Sequence, residues 1–397
     1  VLYSVKVTGS HQEILEIFIK KRSGKNPTPE MVSPGGERPL VFGIQSLFYT
    51  KKANYLSCLE MTLRVPTYMW NHHQYLFKGT LIYAFLRQTM SHFTFRNFPR
   101  DLYGMFTYIH EEPRISLSEI ARRMQIDKRT ASAWWKIAVE NGIIVPPVLR
   151  RKSFLNFREY VYFLKVKDPA KLFEKLKEST EIIYYMVQTG FSNFGITSKN
   201  PIDPPDDVVL SGERSDYCLS IPPNCSFEKS LEVIQEKLTV LKDVELKPSP
   251  LVYHDSFYEP WDEKDEILYW EYYYNMRKPL SSVMRENQIY SDKIMNWIRR
   301  RNEFGQILMF YFPEGERTYL PSIYVLKTDY DSVVIDLFSQ LPVSSAFYRV
   351  GGCLVMTLYV PFRLIVRSSV RNVLSRLQEE ALVEEYDNTI VEYHYRP

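Results

Sequence analysis

Lys128, Arg129, Ser132 and Lys136 are spaced to share one face of an α-helix. Two long cations at the start of a helix, followed by a hydroxyl and a third cation, have the chemistry to meet duplex DNA. The cations neutralise phosphates, and a guanidinium can bond in two places to a guanine edge. A short basic run, Arg150, Arg151 and Lys152, follows a strand-like Ile143-Ile144-Val145 and is placed to reach phosphates from a wing. Residues 116–152 hold eight basic and three acidic side chains, inside a chain that carries only three more basic than acidic residues overall. Such a local surplus is the electrostatic footprint expected of a nucleic-acid surface. A second set, Lys293, Asn296, Arg299 and Arg300, lies on a similar helix, but residues 279–305 hold five basic against three acidic side chains. Away from both sets, Arg214 in the polar stretch GERSDY could face a ligand carboxylate, although a plain turn explains the stretch as well.

Other chemistries lack their residues. There is no phosphate loop, no GxGxxG and no GxSxG elbow. Only His72 and His73 of seven histidines are adjacent, and neighbours on a regular element point apart. The four cysteines form no CxxC pair, which argues against structural zinc and fits a reducing, cytoplasmic setting. Neither a metal nor a cofactor is expected, and no apolar run is long enough to span a bilayer.

The elements that must position the basic residues follow from helix signals. Ser116 with Glu119 reads as a capping box, and Leu117, Ile120, Ala121 and Met124 as its inner face. A short turn leads to a third helix with Ala131, Trp135 and Ala138 inward, closed by Gly142. The pattern predicts a helix-turn-helix with a wing. Placing Ile126 on Ile289 puts Trp134 on Trp297 and Gly142 on Gly305, so the reader recurs, with Arg301 where Ala138 should be buried and Ile298 on the inner face. Around the readers, a strand–helix–strand–strand–helix–strand pattern occurs three times, beginning near Val1, Tyr160 and Ser322. In the middle copy the second strand begins at Glu181, the third at Asp216, the second helix near Ser226 and the closing strand near Asp243; residues 202–208 read as a loop.

The predicted fold class is α+β, with winged helix-turn-helix domains alternating with ferredoxin-like (βαββαβ) modules. The expected domains are an α/β module over 1–103, a winged helix over 104–158, a ligand or dimerisation module over 159–258, a divergent winged helix over 259–320 and a third module over 321–397. In the first module, residues 11–21 should form a helix presenting Ile14, Leu15 and Phe18, and residues 76–86 a second helix on the same sheet face. Val1 reads as the point where a preceding reader is lost or cleaved.

The run ISLSEIARRMQIDKRTASAWWKIAVENGII, continuing into REYVYFLKVKDPAKLFEKLKE and IIYYMVQTGFSNFGI, resembles the leucine-responsive regulatory protein/AsnC (feast-famine) family of transcription regulators. The resemblance implies double-stranded DNA as a partner, homo-oligomerisation through the ferredoxin-like module, and an amino-acid-like effector. On this chain it directs attention to Thr189, Gly190 and Asn193, at the end of the second strand of the middle module. The expected function is therefore a DNA-binding regulator without catalytic residues. Siroheme decarboxylases resemble the same regulators. An enzyme of that kind would place histidines or arginines in a deep cavity and lack a basic reader helix. A purely architectural DNA-binding protein is the remaining alternative.

Overall fold

The computed structural model describes residues 2–8, 16–22, 59–64, 98–204, 207–241, 247–362 and 364–395. The chain divides into two units, Val1–Thr89 and Met90–Pro397. In the first, β1 (Leu2–Thr8), β2 (Glu16–Arg22) and β3 (Leu59–Arg64) form an antiparallel sheet in the order β2-β1-β3. The helix expected over 11–21 is corrected here. Glu16–Arg22 is a strand, and Ile19 sits opposite Val5. Two β-branched residues, Ile17 and Ile19, flank Phe18, a composition that favours a pleated surface. The helix expected over 76–86 lies outside the described residues.

The second unit opens with three helices, α1 (Phe98–Glu111), α2 (Leu117–Met124) and α3 (Lys128–Glu140), and then β4 (Val148–Arg151). It continues through β5 (Tyr160–Lys165), α4 (Pro169–Leu176), β6 (Ile182–Gly190), β7 (Phe194–Ser198), β8 (Asp207–Glu213), β9 (Cys218–Leu219) and α5 (Phe227–Thr239). Three further helices follow, α6 (Glu263–Tyr273), α7 (Leu280–Asn287) and α8 (Ser291–Phe304), with β10 (Gly305–Leu308). The chain ends with β11 (Tyr319–Lys327), α9 (Asp331–Phe338), β12 (Ala346–Val350), β13 (Cys353–Pro361), α10 (Leu364–Glu379) and β14 (Glu385–Tyr395). Both sheets of this unit are antiparallel, so the architecture is α+β.

Of the expected capping box only the Ser116 half forms, because the Glu119 carboxylate is taken by Arg122 and Arg123. Ser116 accepts a hydrogen bond from the Glu119 amide, and Asp127 accepts one from the Thr130 amide. Gln125 and Gln288, equivalent in the repeat, both close their helices in the left-handed region, at φ 56° and 55°. The glycines recur in register but not in conformation. Gly142 is left-handed at φ 63°, whereas Gly305 is extended and leads straight into β10. A Cβ on Gly305 would meet Leu149 Cδ1 at 2.8 Å, so its smallness serves strand packing.

The two helical units are built from each other's strands. β4 pairs antiparallel with β10. Leu149 of β4 lies in the core of the second helical unit, α6–α8, with Leu268, Tyr272 and Trp297. Met309 and Tyr311, just beyond β10, lie in the core of the first helical unit, α1–α3, with Phe106 and Ile109. Two equivalent arginines reinforce the exchange. Arg277 donates to the carbonyls of Pro113 and Ile115, at 2.9 and 2.8 Å. Arg114 donates to those of Met276 and Lys278. Each guanidinium ties down the other unit's first interhelical loop. Arg277→Ala is expected to lower the unfolding free energy by about 1.5–3 kcal/mol, the usual worth of hydrogen bonds from a charged donor. Denaturant titration checks this, and an unchanged midpoint and slope would mean that the clamp adds nothing.

The larger sheet runs β8-β5-β7-β6-β14-β11-β13-β12-β9. Its two ends, β8 and β9, are consecutive in the chain, and the segment between them meets β12 through the Arg214–Val350 bridge and the Ser215 amide bond to Arg349 O. The sheet therefore closes on itself. Val161, Phe163, Met186, Ile323, Val355 and Val391 belong to one cluster that draws on both halves of this sheet. Helix α4 packs against β5–β7 through Leu172, Tyr185 and Ile196. Helix α5 does not join it: Phe227, Ile234 and Leu238 pack with α9, α10 and the β11–β13 strands. The middle repeat thus departs from expectation. Its third strand is Phe194–Ser198, and the segment from Asp216 contributes only Cys218–Leu219 at the closing edge. Asp207–Glu213, which overlaps the expected loop over 202–208, flanks β5, because Val208, Val209 and Leu210 form a β-prone run beside an open edge. Most of the closing strand expected near Asp243 falls outside the described residues. Among the described residues no helix is long and apolar enough to cross a membrane.

Candidate functional site

The face of α3 is where the sequence concentrates free cations. Lys128 and Arg129 are exposed in the first turn beyond the Asp127 cap, and among the described residues neither forms an ion pair. Ser132 is half-buried, and its hydroxyl donates to Lys128 O at 2.9 Å. Lys136 is exposed, 3.8 Å from Glu140. The neighbouring cations on α2 are engaged. Arg122 and Arg123 both bind Glu119, and their hydrogen bonds hold its carboxyl at a pKa of about 2.

The second unit differs. Lys293 binds Asp262 and Asp265 at 3.1 and 3.2 Å. Arg300 binds Glu303 at 2.8 Å and Glu259 at 3.4 Å. Arg299 donates to the Asn296 side chain at 3.0 Å. In the register that equates Ile126 with Ile289, the positions of Lys128, Arg129, Ser132 and Lys136 hold Ser291, Asp292, Met295 and Arg299. Only Arg299 is basic. Arg301, at the position of Ala138, is half-buried and donates to Ile298 O. Burial pulls its pKa down.

The expected wing contacts are not met by this geometry. Arg150 and Arg151 are each 9% exposed. Arg150 donates to the carbonyls of Leu149 and Tyr273, and its guanidinium lies 3.8 Å from the centre of the Tyr273 ring. Arg151 lies against Phe157, Trp261 and Tyr269 and binds Glu266 at 3.1 Å. A free wing would be solvated. Here β10 pairs with the strand and the aromatic helix α6 covers it, so stacking replaces hydration. Lys152, half-buried, donates to Asn302 O at 2.7 Å.

The residues suggested for a ligand do not converge. Thr189 and Gly190 are exposed at the end of β6, where the strand pairs with β14. Gly190 leaves no room above it, since a Cβ there would meet Asn388 O at 2.3 Å. Asn193 bonds Val166 N and O at 2.8 Å each, which fixes the turn after β5. Arg214 does face a carboxylate, but it belongs to the chain itself. Its Nε donates to Glu159 at 2.7 Å, and its side chain is 1% exposed against 2% for Glu159. Beside it, Asp216 accepts from the Ser153 amide and lies 2.9 Å from His254 Nε2. No group of three possible metal ligands occurs among the described residues.

Sequence reasoning missed Arg114 and Arg277 and the Glu159 partner of Arg214. The first two were open to discovery, because the register that aligns the readers also aligns them. The third was not, since Glu159 and Arg214 lie 55 residues apart in the chain.

No protein-family model matches the chain, and no curated protein matches it. Among solved structures it is similar to the siroheme decarboxylase NirDL, at 12% identity and a TM-score of 0.44 over 75% of this chain and 92% of that one. It is also similar to NirDL in complex with an iron-uroporphyrin III analogue, at 12% identity and a TM-score of 0.42 over 74% and 92%. A likeness of that size carries no functional argument.

Proposed function

We propose that the chain is a DNA-contacting protein that engages the duplex with one of its two helical units. In this reading α1–α3 and α6–α8 are fused winged-helix readers, and the closed sheet is a pair of ferredoxin-like modules joined within one chain, as two subunits would join in a dimer. The order β14-β11-β13-β12 supports that assignment for the last module. The observation that carries the DNA reading is the exposed, unpaired Lys128 and Arg129 at the start of α3. Groove readers place base contacts there.

Electrophoretic retention of duplex DNA over a salt series tests it. Few phosphates are within reach of so small a patch, so the slope of log affinity against log salt is expected to be only about −2 to −3. Lys128→Ala with Arg129→Ala should weaken specific binding by about 1–3 kcal/mol per lost base contact. Arg299→Ala should change little, because its neighbours on α8 are neutralised by carboxylates. No retention at low salt, or equal retention by the double variant, would remove α3 as the contact.

A second reading, chemistry on a bound small molecule, is favoured by one observation: Arg151 and Arg158 line a cavity beside α6. Its first requirement is that the cavity binds something.

A further inference from the structure

A cavity of about 730 Å³ opens between α6 and the β5–β6 side of the closed sheet. That size lies within the range of small-molecule sites. The charges in its wall are mostly matched. Arg151 binds Glu266, Arg158 binds Glu213 and Asp255, and Glu159 binds Arg214 behind the wall. Glu266 is further held by the indole N–H groups of Trp261 and Trp270, at 2.7 Å each. Lys199 is different. Its Nζ lies 4.8 Å from the centre of the Trp270 ring, and among the described residues it has no carboxylate partner. Four aromatic rings, Phe157, Tyr160, Tyr269 and Trp270, line the same space.

From these observations we infer that the cavity binds a flat, singly charged organic anion, an aromatic monocarboxylate. The carboxylate pairs with Lys199, and the ring lies among the aromatic side chains. An unmatched cation beside a partly desolvated aromatic wall selects one negative charge. A second charge would meet Glu213 and Asp255, whose two carboxylates share the single guanidinium of Arg158. A cationic ligand would have to displace Lys199 from Trp270. The inference stands independently of DNA binding.

The test uses the full chain with indole-3-carboxylate and, as the uncharged control, indole-3-carboxamide. Calorimetry and saturation-transfer NMR measure binding. The acid is expected to bind at least ten-fold more tightly than the amide. Lys199→Met should weaken the acid by about ten-fold and leave the amide unchanged, while Lys327→Met, which removes a surface charge paired with Glu384, should alter neither. Circular dichroism checks that both variants are folded. The inference is overturned if acid and amide bind alike, if Lys199→Met leaves the acid's affinity intact, or if the acid shows no binding at millimolar concentration.

Discussion

Arg214→Met is expected to lower the unfolding free energy by about 3–5 kcal/mol, because it leaves Glu159 as an uncompensated charge in the interior. Glu159 is 2% exposed, and its Oε1 already lacks a partner, so the carboxylate depends on the guanidinium at 2.7 Å. The same arginine holds the junction of β8 and β9, through Ser215 O and Arg151 O, and stacks 4.1 Å from the Tyr217 ring. The double variant Arg214→Met/Glu159→Leu should recover most of the loss, since removing both charges relieves both desolvation penalties. Urea titrations of the three proteins measure this. If the double variant is no better than the single one, the arginine's value lies in its backbone bonds and not in the ion pair.

Trp297→Ala should cost a similar amount, about 3–5 kcal/mol, as expected for removing a large, nearly buried side chain. Trp297 is 3% exposed and lies among Tyr272, Trp261 and Phe304, with ring centres 6.0, 6.4 and 4.8 Å away. Trp135→Ala should cost far less, about 1–2 kcal/mol. That indole is only half-buried, and it loses partial burial together with the Arg277 guanidinium 5.1 Å from its centre. Denaturant midpoints of the two variants decide the order. Equal losses would mean that the two helical units are not stabilised in the different ways described here.

The helix phase explains why Trp135 packs against the core yet is only half-buried. Ala131 and Ala138 are fully buried, as their spacing predicted. Trp135 shares that stripe but lies at its shoulder, where Arg277 from the other unit covers it. Nothing in residues 116–145 announces that neighbour. The second unit shows the converse. Its candidates Lys293, Asn296, Arg299 and Arg300 were chosen as groove-facing positions, but the acidic residues at 259, 262 and 265 that neutralise Lys293 and Arg300 lie just before α6 and in its first turn, with α7 between.

Local chemistry was legible only in part, since the spacing of Ile14, Leu15 and Phe18 read as a helix where Glu16–Arg22 is a strand. Ser116 and Asp127 cap their helices by side-chain bonds to an amide three residues on, and the repeat of the two helical units could be aligned from their own side chains. Partnership across the fold was not legible. Whether Arg150 and Arg151 meet phosphate or tyrosine depends on β10 and α6, more than a hundred residues away, which pair with and cover β4. Val208 and Val209 lie in a strand along the edge of β5, and α5 packs with α9 and α10 instead of with its own module's sheet. Sequence by itself determined the helical units, their duplication and the stock of free cations on α3. Tertiary structure alone decided which charges are matched, because an ion pair or a stacked guanidinium forms only when folding brings its partner within a few ångströms.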